Sequence, residues 1–244
     1  MKAVLKVVAV LFLSACASAP QAGGLVDVTV LDRTTGTPLP LYRHHGKLYV
    51  AGRPGDKYAV VLQNRSQARV LTVLSVDGVN AITGETAAVQ QSGYVLAPQA
   101  QTEIAGWRKN MSEVAGFVFT VLPDSYAART GRPDNVGVIG VAVFREQLPP
   151  PPASLSLTGR AASAPEADAN GAARAKKQEL GTGHGERERS DAQYTEFQRA
   201  SREPAETIRI YYDSYANLVT AGVIPEHRPH TPDPFPARFV PDPA

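Results

Sequence analysis

The chain has little cysteine, few long apolar runs and none of the common catalytic motifs. A single cysteine, Cys16, excludes an intramolecular disulfide, so the folded state has to be stabilised by a hydrophobic core. Its longest apolar run, Val7–Leu13, is too short for a transmembrane helix, which needs roughly 20 residues. The sequence contains no Gly-x-Ser-x-Gly elbow, no His-Glu-x-x-His pair and no phosphate-binding loop. These absences exclude the enzyme classes that are recognised by those motifs.

What the N-terminus does contain is a secretory signal. Lys2 and Lys6 precede the apolar run, and the small residues Ser14 and Ala15 lead into Cys16. The segment Leu13-Ser14-Ala15-Cys16 resembles the lipobox of bacterial lipoproteins, in which the cysteine thiol is acylated and the chain is cut before it. The resemblance implies that Cys16 becomes the first residue of an exported protein, anchored by acyl chains of the palmitate kind. The alternative is an ordinary secretory signal that happens to carry a cysteine.

Two further features of the sequence bear on the cellular location of the protein and on its binding partners: the residues after Cys16 and the net charge. Ala17 and Ser18 follow Cys16, with no acidic residue directly after the cysteine. This pattern resembles the sorting signal of lipoproteins in bacteria with two membranes, and the resemblance implies the outer membrane, facing the periplasm. Loss of Lys2 and Lys6 would leave 23 basic and 23 acidic residues, a net charge of zero. The sequence therefore gives nucleic acid no electrostatic basis as a partner.

Composition divides the chain into a β-rich part and several core-poor parts. Residues 148–190 are rich in Pro, Ala, Gly and charge, which predicts a flexible linker because such a stretch buries little apolar surface. The predicted organisation is a signal peptide at 1–15, a lipidated tether at 16–24, a β-sandwich domain at 25–147, the linker at 148–190, a C-terminal strand and helix element at 191–224 and a Pro-rich disordered tail at 225–244.

The β-rich part shows period-two alternation and turn residues at short intervals. Val26–Val30 alternates, Asp77-Gly78 between valines predicts a two-residue type I′ hairpin, and Val136–Phe144 predicts a central strand. Only Asp124–Arg129 resembles a helical turn. Eight or so short strands with hardly a helix favour a mainly β fold, an antiparallel β-sandwich or a barrel-like domain.

The C-terminal element admits two interpretations. Thr207–Tyr212 alternates like an edge strand, and Asp213 is a candidate cap for a short helix that ends at Gly222. Alternatively, apolar residues at helical spacing from Ile208 to Val219 would form one helix. The strand followed by a helix is favoured.

Several short segments carry a resemblance to an uncharacterised bacterial family of lipoproteins. They are Leu74–Asn80, Ser92–Leu96, Gly106–Arg108, Asp124–Gly131, Asn135–Val141, Leu180–Gly185 and Ile210–Asp213. The resemblance implies an exported domain of unknown role, and it transfers no catalytic residue and no ligand to this chain.

Five residues are weak candidates for a binding site. His184 lies among glycines that would let a ligand approach the backbone, but a flexible turn with an exposed histidine explains the pattern better. Trp107 and Arg108 pair an aromatic ring with a cation, although a single tryptophan is more often a core residue. Asp124 and Arg129 lie between apolar strands; the structural alternative is that Asp124 caps a turn and pairs with Arg129.

Three functions remain open at this point. The first is a non-catalytic envelope module that binds a protein or peptidoglycan, anchored to the membrane through its N-terminal acyl groups. The second is an accessory subunit whose C-terminal element reaches a partner across the flexible linker. The third is a periplasmic hydrolase with His184 as an acid–base group. No metal or other cofactor is expected, and a binding role ranks first because no set of nucleophile, base and oxyanion donors is recognisable.

Overall fold

The structure is a computed structural model that describes residues 24–147 and 179–226. The predicted signal peptide, Cys16, most of the predicted linker and nearly all of the predicted tail lie outside the described residues. The strands are β1 Val26–Asp32, β2 Thr37–Pro38, β3 Leu41–His44, β4 Lys47–Gly52, β5 Lys57–Asn64, β6 Val70–Val76, β7 Val79–Asn80, β8 Tyr94–Leu96, β9 Gln101–Ile104, β10 Gly106–Arg108, β11 Glu113–Val121, β12 Val138–Arg145, β13 Leu180–Arg189 and β14 Glu206–Ser214. The helices are α1 Tyr126–Arg129 and α2 Tyr215–Thr220.

These strands form two sheets that are not closed into a barrel. In the first sheet the order is β10-β11-β5-β1-β2, with β13 beside β11 and β9 beside β5. In the second sheet the order is β3-β4-β14-β12-β6-β7, with β8 beside β6. Neighbouring strands are antiparallel except for β4 and β14, which are parallel. The mainly β fold is therefore confirmed, and it is consistent with a β-sandwich rather than a barrel.

The main core joins side chains of both sheets. On β1, Val26, Val28 and Val30 are buried while the residues between them are half-buried, as period-two alternation predicts. Tyr58 and Phe119 stack in this core with ring centroids 4.2 Å apart. Burial of a large apolar side chain stabilises the fold by about 1.5–3 kcal/mol, so these aromatic residues contribute strongly.

The Asp77-Gly78 hairpin is confirmed. β6 and β7 pair through Val76 and Val79, which leaves a two-residue turn. Asp77 has φ +53° and Gly78 has φ +71°, the left-handed conformations that a type I′ turn requires. The central position of β12 is also confirmed, since it lies between β14 and β6.

The predicted linker is wrong from residue 180 onward. Leu180–Arg189 is strand β13, and it pairs with β11 along its length. Its glycines serve close packing rather than flexibility. A Cβ on Gly181 would lie 2.6 Å from the Ser125 Cβ, and one on Gly185 would lie 2.8 Å from the Gly116 carbonyl oxygen. The composition suggested a flexible segment because it contains no information about how closely these glycines approach β11 and Ser125.

The C-terminal element is a strand followed by a helix, as favoured, but it is not separate from the domain. β14 lies between β4 and β12 instead of at an edge, so the division of the fold into 25–147 and 191–224 is wrong. The helix α2 is capped by the Ser214 hydroxyl, which accepts from the Asn217 N–H, rather than by Asp213. Within the described residues, no helix has the length and apolar character needed to cross a membrane.

Candidate functional site

A groove of about 950 Å³ opens beside β8, β9 and β10. Its far wall is residues 190–199, which run from β13 toward β14 and are here called the wall segment. The aromatic and cationic residues that line it are Tyr94, Arg108, Tyr194, Phe197 and Arg199. This volume is within the range of ligand-binding clefts, and aromatic residues with a few polar groups are typical of their lining.

The wall segment is fixed to the sandwich near both ends. The Ala192 N–H donates to the Met111 carbonyl at 2.8 Å, and the Ala200 N–H donates to the Arg145 carbonyl at 3.0 Å. Between these anchors, Tyr194 is 92% exposed. A large aromatic side chain so exposed buries almost none of its apolar surface in the free protein, which makes it available for contact with another molecule.

Arg108 occupies the floor of the groove. Its Nη1 donates to the carbonyl oxygens of Ser190 at 2.8 Å and Asn110 at 3.1 Å, and its Cζ lies 6.0 Å from the centroid of the Tyr94 ring. The Nε of Arg108 and the hydroxyl of Tyr94 are buried, and neither makes a well-formed hydrogen bond to a described residue, although the two side chains interact with each other. Burial raises the pKa of Tyr94, although the charge of Arg108 opposes the effect.

Arg199 is the last residue of the wall segment and also lines the groove. Its Nη2 donates to the Gln91 carbonyl at 2.6 Å, and its Cζ lies 4.3 Å from the centroid of the buried Phe144 ring. Burial lowers the pKa of Arg199. In the described part of the chain, no carboxylate lies within salt-bridge distance of either Arg199 or Arg108.

The groove is lined by two acidic residues as well as two arginines. Glu103 lies 3.6 Å from Arg33, which also pairs with Glu188, and Asp191 lies 3.2 Å from Arg189. The formal charges of the lining therefore sum to zero, but its two arginines are the charges that have no carboxylate partner among the described residues.

A second polar cluster is fully internal and joins the two sheets. The Thr182 hydroxyl on β13 lies 2.6 Å from the Tyr58 hydroxyl on β5 and 2.6 Å from the Tyr212 hydroxyl on β14. The Tyr212 hydroxyl donates to Asp77 Oδ1 at 2.5 Å. All four residues are buried. We call this set the inter-sheet network; its burial indicates a structural role, since a substrate cannot reach it from solvent.

Asp77 accepts hydrogen bonds from both sides of its turn. The Thr182 N–H donates to Oδ2 at 2.7 Å and the Gly137 N–H donates to Oδ1 at 3.0 Å. Burial raises the pKa of Asp77 from 3.8 to about 6, and the hydrogen bonds limit the rise. Burial and the nearby Asp77 charge also raise the pKa of Tyr58 and Tyr212.

The predicted candidates fall in different places, and only Arg108 lines the groove. Trp107 is 2% exposed and packs edge-on against Phe117 with ring centroids 4.8 Å apart, so it is a core residue. His184 is exposed on β13, as expected, with its ring centroid 5.6 Å from that of Tyr126. Partial burial, aided by the charge of Lys109, lowers the pKa of His184.

The structural reading of Asp124 and Arg129 is wrong in its details. The side chain that caps α1 is Ser125, whose hydroxyl accepts from the Ala128 N–H at 3.2 Å. Asp124 and Arg129, both described, form no salt bridge with each other, and neither residue lines the groove. In residues 24–147 and 179–226, no three His, Cys, Asp or Glu side chains are grouped to hold a metal ion.

Four residues that line the groove were not predicted from the sequence: Tyr94, Tyr194, Phe197 and Arg199. The available signal was a pair of aromatic residues, Tyr194 and Phe197, in a polar stretch without periodicity. That signal is weak, because single aromatic residues are common on protein surfaces. In the structure Phe197 packs against a small core cluster that includes Leu71 and Phe144, whereas Tyr194 is exposed.

Comparison of the chain with family models, curated proteins and solved structures finds no match in any of the three.

Proposed function

We propose that this protein is a lipid-anchored lipoprotein of the cell envelope, which binds a partner protein in its groove and catalyses no reaction. In this proposal, acyl chains on Cys16 hold it at the outer membrane, facing the periplasm. The lipobox resemblance of Leu13–Cys16 supports the anchor. The groove with its exposed aromatic residue supports the binding role, and this is the observation that carries the proposal.

The composition of the groove favours a protein as the partner. Protein interfaces are enriched in Tyr, Phe, Met and Arg, and few residues contribute most of the binding energy. The lining combines Tyr94, Tyr194, Phe197 and Met111 with two arginines. Tyr194 would bury its ring on binding, while the wall segment around it is already held in place. Preorganisation of this kind lowers the entropic cost of association.

The accessory-subunit alternative needs a C-terminal element that moves independently. β14 is instead a central strand of the second sheet, paired on both sides. Its removal from the domain would break both ladders and expose Ile208 and Ile210, which are buried. The binding role therefore rests on the groove rather than on a mobile C-terminal piece.

The anchor is tested by Cys16→Ser. We expect the wild-type protein to fractionate with membranes and to carry acyl groups on its N-terminal peptide by mass spectrometry. The variant should lose both, because only a thiol can form the thioether. A variant that is processed and membrane-bound as before would contradict the anchor.

The binding role is tested by photo-crosslinking in intact cells. A photoreactive amino acid replaces Tyr194 in one protein and Tyr215 in another. Tyr215 is the matched control, since it is 53% exposed but does not line the groove. We expect a discrete crosslinked protein, identified by mass spectrometry, from position 194 only. The same products from both positions, or none from position 194, would contradict a partner in the groove.

A further inference from the structure

We infer that the groove binds an acidic peptide segment, an extended stretch of the partner protein whose carboxylates contact Arg108 and Arg199. This inference rests on the proposed binding function and names the chemistry of its ligand. It is argued from the two groove arginines, from the buried polar atoms beside Arg108 and from the exposed amides of the groove.

The two arginines of the groove favour an anion, because neither has a carboxylate partner among the described residues. Arg108 and Arg199 have carbonyl oxygens as hydrogen-bond partners, and a neutral carbonyl leaves the charge of a guanidinium uncompensated. These contacts also restrain both side chains, so a ligand would meet guanidinium groups whose freedom is already reduced. A carboxylate is the protein group that matches a guanidinium in charge and in hydrogen-bonding geometry.

The floor of the groove contains unsatisfied polar atoms. Arg108 Nε and the Tyr94 hydroxyl are buried without a well-formed hydrogen bond to the described residues. Buried polar groups in folded proteins are almost always paired with protein or with bound solvent, so each exception calls for an explanation. Because both atoms are inaccessible, a carboxylate drawn to Arg108 would bind its outer nitrogens, Nη1 and Nη2, rather than Nε.

The remaining lining fits a peptide better than a small anion. Gln90 and Gln193 are exposed amides on the groove, and each offers both a donor and an acceptor, as a peptide backbone does. Tyr194 and Phe197 provide apolar surface for the side chains between the carboxylates. A volume of about 950 Å³ holds several residues rather than a single small ion.

The test is selection from a library of random dodecapeptides on the immobilised full chain. Groove binders are defined as peptides whose binding is lost in Tyr194→Ala, a change of an exposed side chain that leaves the core intact. We expect Asp and Glu to be enriched among these binders. Their affinity should fall by about tenfold or more in Arg108→Gln and in Arg199→Gln, and it should fall with added salt.

The matched control is Arg209→Gln. Arg209 is exposed on β14, outside the groove, and this variant should bind the peptides as the wild type does. Circular dichroism and Trp107 fluorescence check that every variant is folded.

Two results would overturn the inference of an acidic ligand and leave the proposed function standing. The first is a set of groove binders without enrichment in Asp and Glu. The second is a set whose affinity is unchanged in both Arg108→Gln and Arg199→Gln. Failure to select any groove binder, together with no crosslink at position 194, would overturn both. Vesicles of phosphatidylglycerol form a separate arm. Binding of these vesicles through Arg108 and Arg199, without peptide binding, would assign the groove to a lipid headgroup and overturn the inference.

Discussion

The buried carboxyl of Asp77 should make the folded protein less stable as the pH rises from about 4 to about 7. Burial raises its pKa to about 6 in the folded state, against 3.8 for an exposed aspartate. The inter-sheet network acts against this rise, because Tyr58 can donate to Thr182, Thr182 to Tyr212, and Tyr212 to Asp77 Oδ1, which favours the ionised carboxylate. Burial outweighs these hydrogen bonds, so the pKa of Asp77 remains raised.

The sign and size of the effect follow from linkage. A folded-state pKa above the unfolded value contributes stability that is fully present below pH 3.8 and is lost as the pH rises through about 6. At about 1.36 kcal/mol for each pH unit between the two pKa values, the largest contribution is about 3 kcal/mol. Glu146 acts in the opposite direction, since Arg69 lowers its pKa, so wild-type stability alone does not isolate Asp77.

The perturbation that isolates Asp77 is Asp77→Asn. Asparagine tolerates the positive φ of this turn and has nearly the same shape, but it does not ionise. Urea unfolding followed by Trp107 fluorescence gives the free energy of unfolding of both proteins at several pH values. We expect the wild-type value minus the variant value to fall by up to about 3 kcal/mol from about pH 4 to about pH 7.

The exposed residue Asp134 supplies the control. Asp134→Asn should differ from the wild type by a nearly constant amount over the same pH range, within about 0.5 kcal/mol. A difference between wild type and Asp77→Asn that is constant, or that grows as the pH rises, would refute the reasoning. It would mean that the N–H groups of Gly137 and Thr182 stabilise the charged carboxylate by more than burial destabilises it.

Three further predictions concern the fold. Gly106→Ala should lower the free energy of unfolding by about 3 kcal/mol or more, or prevent folding, because the new Cβ would collide with the Ala115 carbonyl oxygen. Urea unfolding measures this loss of stability. Ser214→Ala should lower stability by about 1 kcal/mol in the same assay through loss of the α2 cap. The fragment 25–147 should lack cooperative unfolding by circular dichroism, because it omits β13 and β14; a single sharp transition would contradict this.

Local sequence rules predicted the parts of the fold that depend on local chemistry. Alternation located β1, and Asp77-Gly78 predicted its hairpin because few residue pairs accept positive φ at both positions. The strand and helix after Glu206 followed from alternation and a nearby cap. These features need only neighbouring residues, so the sequence displays them directly.

The features that the sequence did not predict, strand β13 and the groove, depend on contacts between residues that are distant in the sequence. β13 escaped prediction because glycine and charge dominate it, and its strand conformation is imposed by pairing with β11. The groove also combines remote parts of the chain, with Arg108 on β10 and Arg199 in the wall segment. No spacing rule links such positions, and Arg108 was found only because it follows the single tryptophan.

Strand β13 connects the inter-sheet network to the groove. At its start, Thr182 bonds to Asp77, 105 residues away in the sequence, and to tyrosines of both sheets. At its end, the chain enters the wall segment at Ser190, whose carbonyl oxygen holds Arg108. Because β13 is rigidly paired with β11 between these points, the position of the wall depends on a strand that the buried network anchors. The end of the segment that was predicted as a flexible linker therefore supplies both a hydrogen-bonded connection between the sheets and one side of the proposed binding site.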